Sequence, residues 1–433
     1  MQMISEPPIV ASDISYKELK AKLHTQILGD IDLESVNRLS DGVARERVGL
    51  ALRDMLNRER TPLASAEREC LLKEILDEVF GLGPLEPLLA DNTVSDILIN
   101  GASRVYIERH GKLELTKVRF DNDSHLMRII DRIVTKVGRR IDESTPMVDA
   151  RLVDGSRVNV IIPPLSLDGP VVSIRRFGKD RLTADGLIIN QTVNPQMLEL
   201  LHGCVKGKLN VMISGGTGAG KTTLLNVLSG YIPENERIVT IEDAAELQLR
   251  QQHVVRLETR TANIEGRGAI RQRQLVVNAL RMRPDRIVVG EVRGEESVDM
   301  LQAMNTGHEG SLTTIHANTP RDALSRLETM IAMANLNLPE QAVRQQIASA
   351  INLIVQVSRM PDGTRKVVSI TEVTGMEGPQ ITTQDIFVFK RTGVDEKKKI
   401  LGKFQATGIR PKFAEKLQAA GVQFDIDTFF SER

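Results

Sequence analysis

A glycine-rich run in the middle of the chain has the residue types and spacing of a loop that binds phosphate groups. An apolar segment ending at Ser214 leads into this run, and residues 224–228 after it are again mostly apolar; the run itself reads Gly215-Gly216-Thr217-Gly218-Ala219-Gly220-Lys221-Thr222-Thr223. A strand, a glycine loop and a helix in this order are the context that the P-loop motif requires. The alternative, a glycine-rich turn with a solvated lysine, explains the residue order less well.

Each residue type in the run has a chemical reason to be there. Glycine residues let backbone N–H groups turn inward around phosphates, and Lys221 supplies a positive charge to the β- and γ-phosphate oxygens. The hydroxyl of Thr222 is a ligand for Mg²⁺. The sequence therefore predicts that residues 215–223 bind a nucleoside triphosphate and that Thr222 contacts the metal.

Carboxylates follow two further apolar strands. Glu242, with Glu246 four residues later, follows the first strand, and Glu291 follows the second. Ligands of open α/β sheets bind at the carboxyl ends of the strands. Gly290 stands where many P-loop proteins carry an aspartate that holds the metal, so we expect Glu291 to orient or activate the attacking water. Glu242 and Glu246 are expected to steer Mg²⁺ through its water ligands, although acids at strand ends are also common on surfaces.

Two histidines flank a predicted strand of small residues. His308 and His316 lie eight positions apart on either side of it. We expect both to face the γ-phosphate and to donate hydrogen bonds to the charge that develops there. Without the glycine run, a structural role for these histidines would be the better interpretation.

Composition limits the classes of protein that remain. The chain has 433 residues, 57 basic and 57 acidic, so it carries no net charge to attract nucleic acid. Its two cysteines form neither a disulfide framework nor a zinc module, which favours a reducing cytoplasm. We see no leader segment and no run of apolar residues long enough to cross a membrane.

Changes in residue pattern predict several domains and an α/β fold. We expect a helical module over residues 1–79, an α+β domain over 80–180, a linker over 181–190, a catalytic domain over 191–380 and a C-terminal extension over 381–433. In the catalytic domain, strands alternate with helices, which predicts a parallel-rich sheet with helices on both faces. Turn signals and short β-rich runs mark the α+β domain.

The glycine run, the Glu242-Asp243 pair, the strand ending at Glu291 and the two histidines resemble, in this order, four boxes of one family. These are the Walker A, Asp, Walker B and His boxes of the ATPases of type II and type IV secretion systems. The resemblance covers about residues 80–371 and is closest to the CpaF-like ATPases of the tight-adherence (Tad) pilus. Supporting phrases are FGLGPL at 80–85, DGSRVN at 154–159, VSIRRF at 172–177, RMRPDR at 281–286 and ATGIRP at 406–411.

This resemblance implies a homohexameric motor with a RecA-like P-loop domain that uses ATP and Mg²⁺. It implies work at the cytoplasmic face of the inner membrane on platform proteins of a pilus or secretion system, without stable binding of nucleic acid. It also implies arginines that reach the phosphates from the α+β domain or from another subunit; surface ion pairs are the alternative for each. By position, the candidates are Arg157 and Arg175 or Arg176, with Arg267, Arg281 and Arg283 as further ones.

Two other function classes remain as alternatives to a secretion motor. A RecA-like nucleic-acid translocase would share the fold, but aromatic residues make up only 3% of the chain and form no stacking platform. A nucleotide-gated scaffold with little hydrolysis is disfavoured by the presence of Lys221, Thr222 and Glu291. The base-reading motif of GTPases is absent.

Overall fold

The structure is a computed structural model that divides into two compact units, Met1–Gly178 and Lys179–Arg433. The residues it describes are 13–30, 41–59, 61, 63–109, 111–177, 182–260, 262, 266–334, 338–396 and 398–422.

Among the described residues, three helices open the first unit: α1 (Asp13–Asp30), α2 (Asp41–Arg58) and α3 (Ser65–Phe80). Their apolar residues recur every three or four positions, which places them on one face of each helix. These faces pack into a common core formed by Leu19, Leu23, Ile27, Val48, Leu52, Leu56, Leu71, Leu72, Ile75 and Leu76. Helix α3 begins with a capping interaction in which the Glu67 carboxylate accepts the backbone N–H of Ala64 at 2.8 Å.

An antiparallel sheet with two helices forms the rest of the first unit. The elements are α4 (Glu86–Ala90), β1 (Val94–Asn100), β2 (Arg104–Arg109), β3 (Lys112–Leu115), α5 (Asp123–Lys136), β4 (Met147–Arg151), β5 (Arg157–Ile161) and β6 (Val171–Arg175), after a short 3₁₀ turn at Gly83–Leu85. The strand order is β3-β2-β1-β6-β5-β4. Alternate residues of the strands face α5, so one face of the sheet carries the core and the other carries polar side chains.

The second unit contains a nine-stranded mixed sheet. Its elements are α6 (Ala184–Ile189), α7 (Pro195–Lys206), β7 (Val211–Gly215), α8 (Lys221–Ser229), β8 (Ile238–Glu242), β9 (Val254–Glu258), α9 (Gln272–Ala279), β10 (Arg286–Val292), α10 (Glu296–Asn305), β11 (Leu312–Ile315), α11 (Pro320–Met333), α12 (Glu340–Ala350), β12 (Leu353–Arg359), β13 (Arg365–Glu377), β14 (Gln380–Val394), β15 (Ile400–Ala406) and α13 (Ala414–Ala419). The strand order is β15-β14-β13-β12-β7-β11-β10-β8-β9.

The six strands from β12 to β9 in this order are parallel, and β13, β14 and β15 are antiparallel additions. Successive residues of the central strands enter different cores: Ile213 packs with α7 and α8, whereas Met212 packs with α10, α11 and α12. Both faces are therefore covered by helices, as parallel sheets require. This confirms the predicted α/β fold class.

The structure differs from the sequence prediction at two boundaries. Helix α6 occupies residues 184–189, which we expected to be linker. Within the expected C-terminal extension, residues 381–394 and 400–406 are strands, because β14 pairs with β13 and β15 pairs with β14. Phe387 of β14 is fully buried in the same core as α7 and α8.

A buried arginine fixes the amino-terminal edge of the parallel sheet. Arg286, which has no exposed surface, donates hydrogen bonds to the Glu236 carboxylate at 2.5 Å and to the carbonyl oxygens of Gly310 at 2.9 Å and Val205 at 2.8 Å. Gly310 has φ +82°, and a Cβ there would lie 2.0 Å from the Arg286 guanidinium. The arginine thus joins three elements at the edge opposite the glycine loop.

Candidate functional site

The glycine loop lies between buried strand β7 and helix α8. Gly215 ends the strand so close to β12 that a Cβ would lie 2.4 Å from the Val357 carbonyl oxygen. Gly218 and Gly220 have φ angles of +68° and +98°, which side chains other than glycine rarely adopt. Helix α8 then begins at Lys221 and directs its first N–H groups toward the loop. The loop therefore has the backbone form of an anion cradle.

Two donors converge on one carbonyl oxygen inside this loop. The Lys221 ammonium group donates to the Gly216 oxygen at 3.1 Å, and the Ala219 N–H donates to the same oxygen at 3.3 Å. Burial lowers the pKa of Lys221, while the negative charge of Glu291 opposes that shift. A partly desolvated cation and inward N–H groups are what a phosphate group binds, so these residues fit the predicted ligand. Thr222 and Thr223 follow in the first turn of α8.

Glu291 lies near Lys221 but is also held by an arginine that sequence reasoning missed. One Glu291 carboxylate oxygen is 2.7 Å from the Arg293 guanidinium, and the same guanidinium is 3.5 Å from the Asp243 carboxylate. The hydrogen bond that Arg293 donates to Glu291 raises the pKa of Arg293. The spacing of two residues at the end of β10 offered a signal, since side chains at i and i+2 share a face of extended chain and Arg293 directly follows the strand.

Glu242 is buried, and its two carboxylate oxygens have different surroundings. Oε2 accepts the backbone N–H groups of Glu246 at 2.7 Å and Leu247 at 2.9 Å. Oε1 is buried and has no hydrogen-bond partner among the described residues. Burial raises the pKa of this carboxyl, against the lowering effect of the two N–H groups. An unsatisfied acceptor at the strand end fits a role in binding a proton donor such as a metal-bound water.

The structure places the two histidines at opposite ends of β11. His308 precedes the strand, where its carbonyl oxygen accepts the Ser311 hydroxyl at 2.8 Å, and His316 follows it. Because β11 is parallel to β7, only the carboxyl end of β11 lies beside the glycine loop. The prediction that both histidines face the γ-phosphate is therefore wrong for His308. Burial, followed by the nearby charge of Lys221, lowers the pKa of His316.

Three arginines form a row on the polar face of the sheet in the first unit. Arg151 is the register partner of Arg157, and Arg157 is the register partner of Arg175. Like charges directly opposite each other destabilise a sheet unless an anion lies among them. The Arg175 guanidinium is 3.2 Å from the Asp96 carboxylate, which partly offsets the row. Arg151 was missed by sequence reasoning, although its register with Arg157 follows from the hairpin turn.

Arg176 points in a different direction from this row. Its guanidinium donates to the carbonyl oxygens of Asp91 and Val94, so it holds the segment before β1 within the first unit. We therefore assign it a structural contact, and Arg157 and Arg175 remain the candidates for phosphate binding. Of the further candidates, Arg281 donates to the Val277 carbonyl oxygen at 3.3 Å, one turn earlier along the chain.

A hairpin between β12 and β13 also reaches the glycine loop. The Arg365 guanidinium donates to the Gly218 carbonyl oxygen at 3.1 Å. A Cβ on Gly218 would lie 3.4 Å from the guanidinium of Arg359. Neither arginine was singled out from the sequence, because 147 residues separate Arg365 from the glycine that it contacts.

Sequence comparison identifies the family to which this arrangement belongs. The profile described as type II/IV secretion system protein matches residues 78–406, which include the sheet of the first unit and most of the second. The chain belongs to the type II/IV secretion system protein family.

Relatives of this secretion family cover most of the chain. A putative conjugal transfer protein of Mycobacterium tuberculosis H37Rv is 38% identical over 313 residues, which are 71% of this chain and 88% of that protein. The type IV secretion system protein PtlH of Bordetella pertussis is 33% identical over 336 residues, which are 69% and 96% of the two chains. Among solved structures, the VirB11 ATPase of Brucella suis has 26% identity and a TM-score of 0.36, covering 68% of this chain and 97% of that one.

Proposed function

We propose that this family member hydrolyses ATP and uses the free energy for mechanical work in secretion or pilus assembly. The observation that carries the proposal is the position of Lys221: its ammonium group points into the glycine loop and interacts with Glu291 across it. A phosphate-binding cation and a candidate base thus lie at one edge of one sheet. The related conjugal transfer protein of Mycobacterium tuberculosis and the type IV secretion system protein PtlH support a role in secretion.

Each residue of the site has a role that its surroundings support. The N–H groups of residues 218–223 and the Lys221 ammonium group hold the phosphates, and Thr222 provides a hydroxyl ligand to Mg²⁺. The metal ion, when bound, neutralises charge on the phosphate oxygens. Glu291 orients the attacking water once Arg293 releases it. Glu242 and Glu246 order water on the metal, and His316 donates a hydrogen bond to the terminal phosphate.

We further propose that six copies of the chain form a ring and that arginines gate hydrolysis. Arg157 and Arg175 are register partners on the neighbouring strands β5 and β6, so that two cations can bind one anion. A triphosphate group supplies such an anion. These arginines would therefore bind the terminal phosphate of ATP, which ADP lacks. This difference in binding is the proposed cause of domain movement.

The cellular role that we propose is that of a Tad-type pilus or secretion motor. The chain would act at the cytoplasmic side of the inner membrane, through platform proteins that pass its movement to the filament. None of the helices in the described part of the chain is long and apolar enough to span a membrane. The phrases shared with CpaF-like ATPases support the Tad branch.

Release of inorganic phosphate by the purified full-length chain tests this function directly. We expect Mg²⁺-dependent turnover of ATP, a hexameric mass by light scattering, and loss of binding to a fluorescent ATP analogue in Lys221→Ala. Lys206→Ala is the matched control, because Lys206 is an exposed lysine of the same unit, on α7. ATP affinity of Lys221→Ala equal to that of wild type would overturn the site, and turnover that depends on single-stranded DNA would favour the translocase alternative.

A further inference from the structure

The hairpin between β12 and β13 is compact and well defined. We call residues 359–365 the clamp hairpin. The backbone N–H of Met360 donates to the Thr364 carbonyl oxygen at 2.7 Å, and one Asp362 oxygen accepts the Thr364 N–H at 2.9 Å. These bonds close a turn that places Arg359 and Arg365 directly opposite each other as register partners. Two like charges thus face each other at the base of a tight turn, an arrangement that costs stability.

Both arginines lie against the glycine loop. The Arg365 Nε atom donates to the Gly218 carbonyl oxygen at 3.1 Å, and the Arg365 Cδ atom lies 3.5 Å from the position of a Cβ on Gly220. Arg365 therefore covers the two loop residues whose φ angles are positive. Glycine at these positions leaves the unbound loop flexible, so an external contact is needed to hold one backbone form.

The hydrogen bond from Arg365 to the Gly218 oxygen also sets the direction of the Ala219 N–H group. In a trans peptide the C=O and N–H groups point in opposite directions, so a Gly218 oxygen held by Arg365 turns the Ala219 N–H inward. That N–H donates to the Gly216 oxygen, to which the Lys221 ammonium group also donates. Orienting this peptide thus orients a donor at the point where the phosphate-binding groups converge.

The clamp hairpin is anchored to the body of the second unit on two sides. Lys366, which is buried, donates through its ammonium group to the Gln191 carbonyl oxygen at 2.6 Å. The second oxygen of Asp362 accepts the backbone N–H of Ile400 at 2.8 Å. Because residues before and after Arg365 in the chain are fixed in this way, the backbone that carries Arg365 is held in one position.

We propose that Arg365 is a positioning residue for phosphate binding, which holds the Gly218-Ala219 peptide so that the Ala219 N–H faces the phosphate groups. This inference rests on the proposed function, because it assumes that the glycine loop binds a nucleotide. It adds a residue outside the four sequence boxes, supplied by the part of the sheet that follows them. Arg365 contacts the loop backbone and is not itself required to touch the nucleotide.

The variants Arg365→Ala and Arg365→Lys test the proposal, with Arg391→Ala as the control, an exposed arginine on β14 of the same sheet. We measure affinities for a fluorescent ATP analogue and for inorganic pyrophosphate as its competitor, and the melting temperature with and without ADP. We expect Arg365→Ala to lose about tenfold in affinity for both phosphate ligands, the effect of one charge-assisted hydrogen bond. The lysine variant should recover part of this loss, because it retains a charged donor without the guanidinium geometry.

A purely structural role would instead lower the melting temperature of the nucleotide-free protein and leave the shift caused by ADP unchanged. That result, or an affinity of Arg365→Ala within twofold of wild type, would overturn the proposal. If the alanine variant fails to fold, the lysine variant decides: affinity equal to wild type together with a lowered melting temperature also overturns it. Failure of the proposed function is distinguishable, because wild type itself would then bind neither ligand.

Discussion

Gly290 lies directly against the side chain of Glu242, so closely that a Cβ on Gly290 would be 2.9 Å from the Glu242 Cγ atom. The two residues are paired through their strands, since β8 and β10 run side by side in register up to this point. The absence of a side chain at residue 290 therefore makes room for a carboxylate from the neighbouring strand. An acid reaches this position of the site from β8, whereas many P-loop proteins supply it from the strand of Glu291.

Gly290→Ala should displace Glu242 and impair both stability and catalysis. Crowding of this kind in a packed core costs ~1 to 3 kcal/mol, because the neighbouring side chain has to leave its preferred position. We expect a lower midpoint in urea denaturation and slower phosphate release. Gly294→Ala is the control, because its nearest neighbour beyond the adjoining residues is at an ordinary contact distance of 3.4 Å. Equal effects of the two substitutions would contradict the specific packing of Glu242 on Gly290.

Glu242→Gln should stabilise the nucleotide-free protein at neutral pH. Burial raises the pKa of Glu242 in the folded state, so the folded protein binds this proton more tightly than the unfolded chain does. The Glu242 carboxyl group therefore stabilises the folded protein at pH values below its ordinary pKa of 4.5. This contribution is lost as the pH rises through the pKa of the group in the folded state. An amide carries no charge and avoids the loss.

The measurement is the melting temperature of Glu242→Gln and wild type across a pH series. The variant should melt higher at neutral pH, and the difference should shrink as the pH falls toward 4.5. We expect the Glu242→Gln variant also to hydrolyse ATP more slowly than wild type, because the charge that destabilises the folded protein is needed for function. A difference in melting temperature that is independent of pH would contradict the charge-based explanation.

Glu291→Gln should bind ATP and hydrolyse it slowly, because the amide keeps the shape of the side chain but cannot accept a proton. General-base groups contribute ~10²- to 10⁴-fold to rates, so we expect a loss of turnover in this range. Single-turnover phosphate release measures it. Arg293→Ala is the informative companion, since it removes the cation that holds Glu291 without removing the base. Turnover of Glu291→Gln within a few-fold of wild type would transfer the role to Glu242 or Glu246.

Arg175→Ala should abolish the response of the two units to nucleotide, whereas Arg176→Ala should mainly destabilise the first unit. Arg175 is exposed beside Arg157, but Arg176 is bound to the carbonyl oxygens of Asp91 and Val94. One charge-assisted contact to the terminal phosphate is worth ~1.5 to 3 kcal/mol, which shifts a balanced equilibrium more than tenfold. We therefore expect ATP to close the two units and ADP to release them.

Distances between spin labels measure this response. Cys70 in the first unit is exposed and Cys204 is buried, so Cys70 takes one label and a cysteine at the exposed position Gln302 of α10 takes the other. The distances between the two labels are compared in the presence of a slowly hydrolysed ATP analogue, in the presence of ADP and without nucleotide. Arg104→Ala is the control variant, because Arg104 is an exposed arginine on β2. Identical distance distributions in all three conditions would refute the gating role of Arg175.

The conformation of the glycine loop was predictable from the sequence because it is local. Residues 211–229 form strand, loop and helix within one short stretch, and the φ angles of Gly218 and Gly220 follow from residue type. The positions of Glu242 and Glu291 were predictable for a related reason. Parallel strands bring their carboxyl ends to the same edge, so acids at the ends of such strands lie at that edge whatever the strand order.

Strand order and register decided what the sequence left open. His308 and His316 are close in sequence, but an extended strand separates them and only one end of it lies at the loop. The contact of Arg365 with Gly218 and the packing of Glu242 on Gly290 join residues that are far apart in the chain. Such contacts depend on which strands become neighbours, and strand pairing is set by burial of the whole sheet rather than by local residue pattern. The sequence by itself therefore determined the backbone form of the glycine loop, and the tertiary structure determined which distant side chains hold it in place.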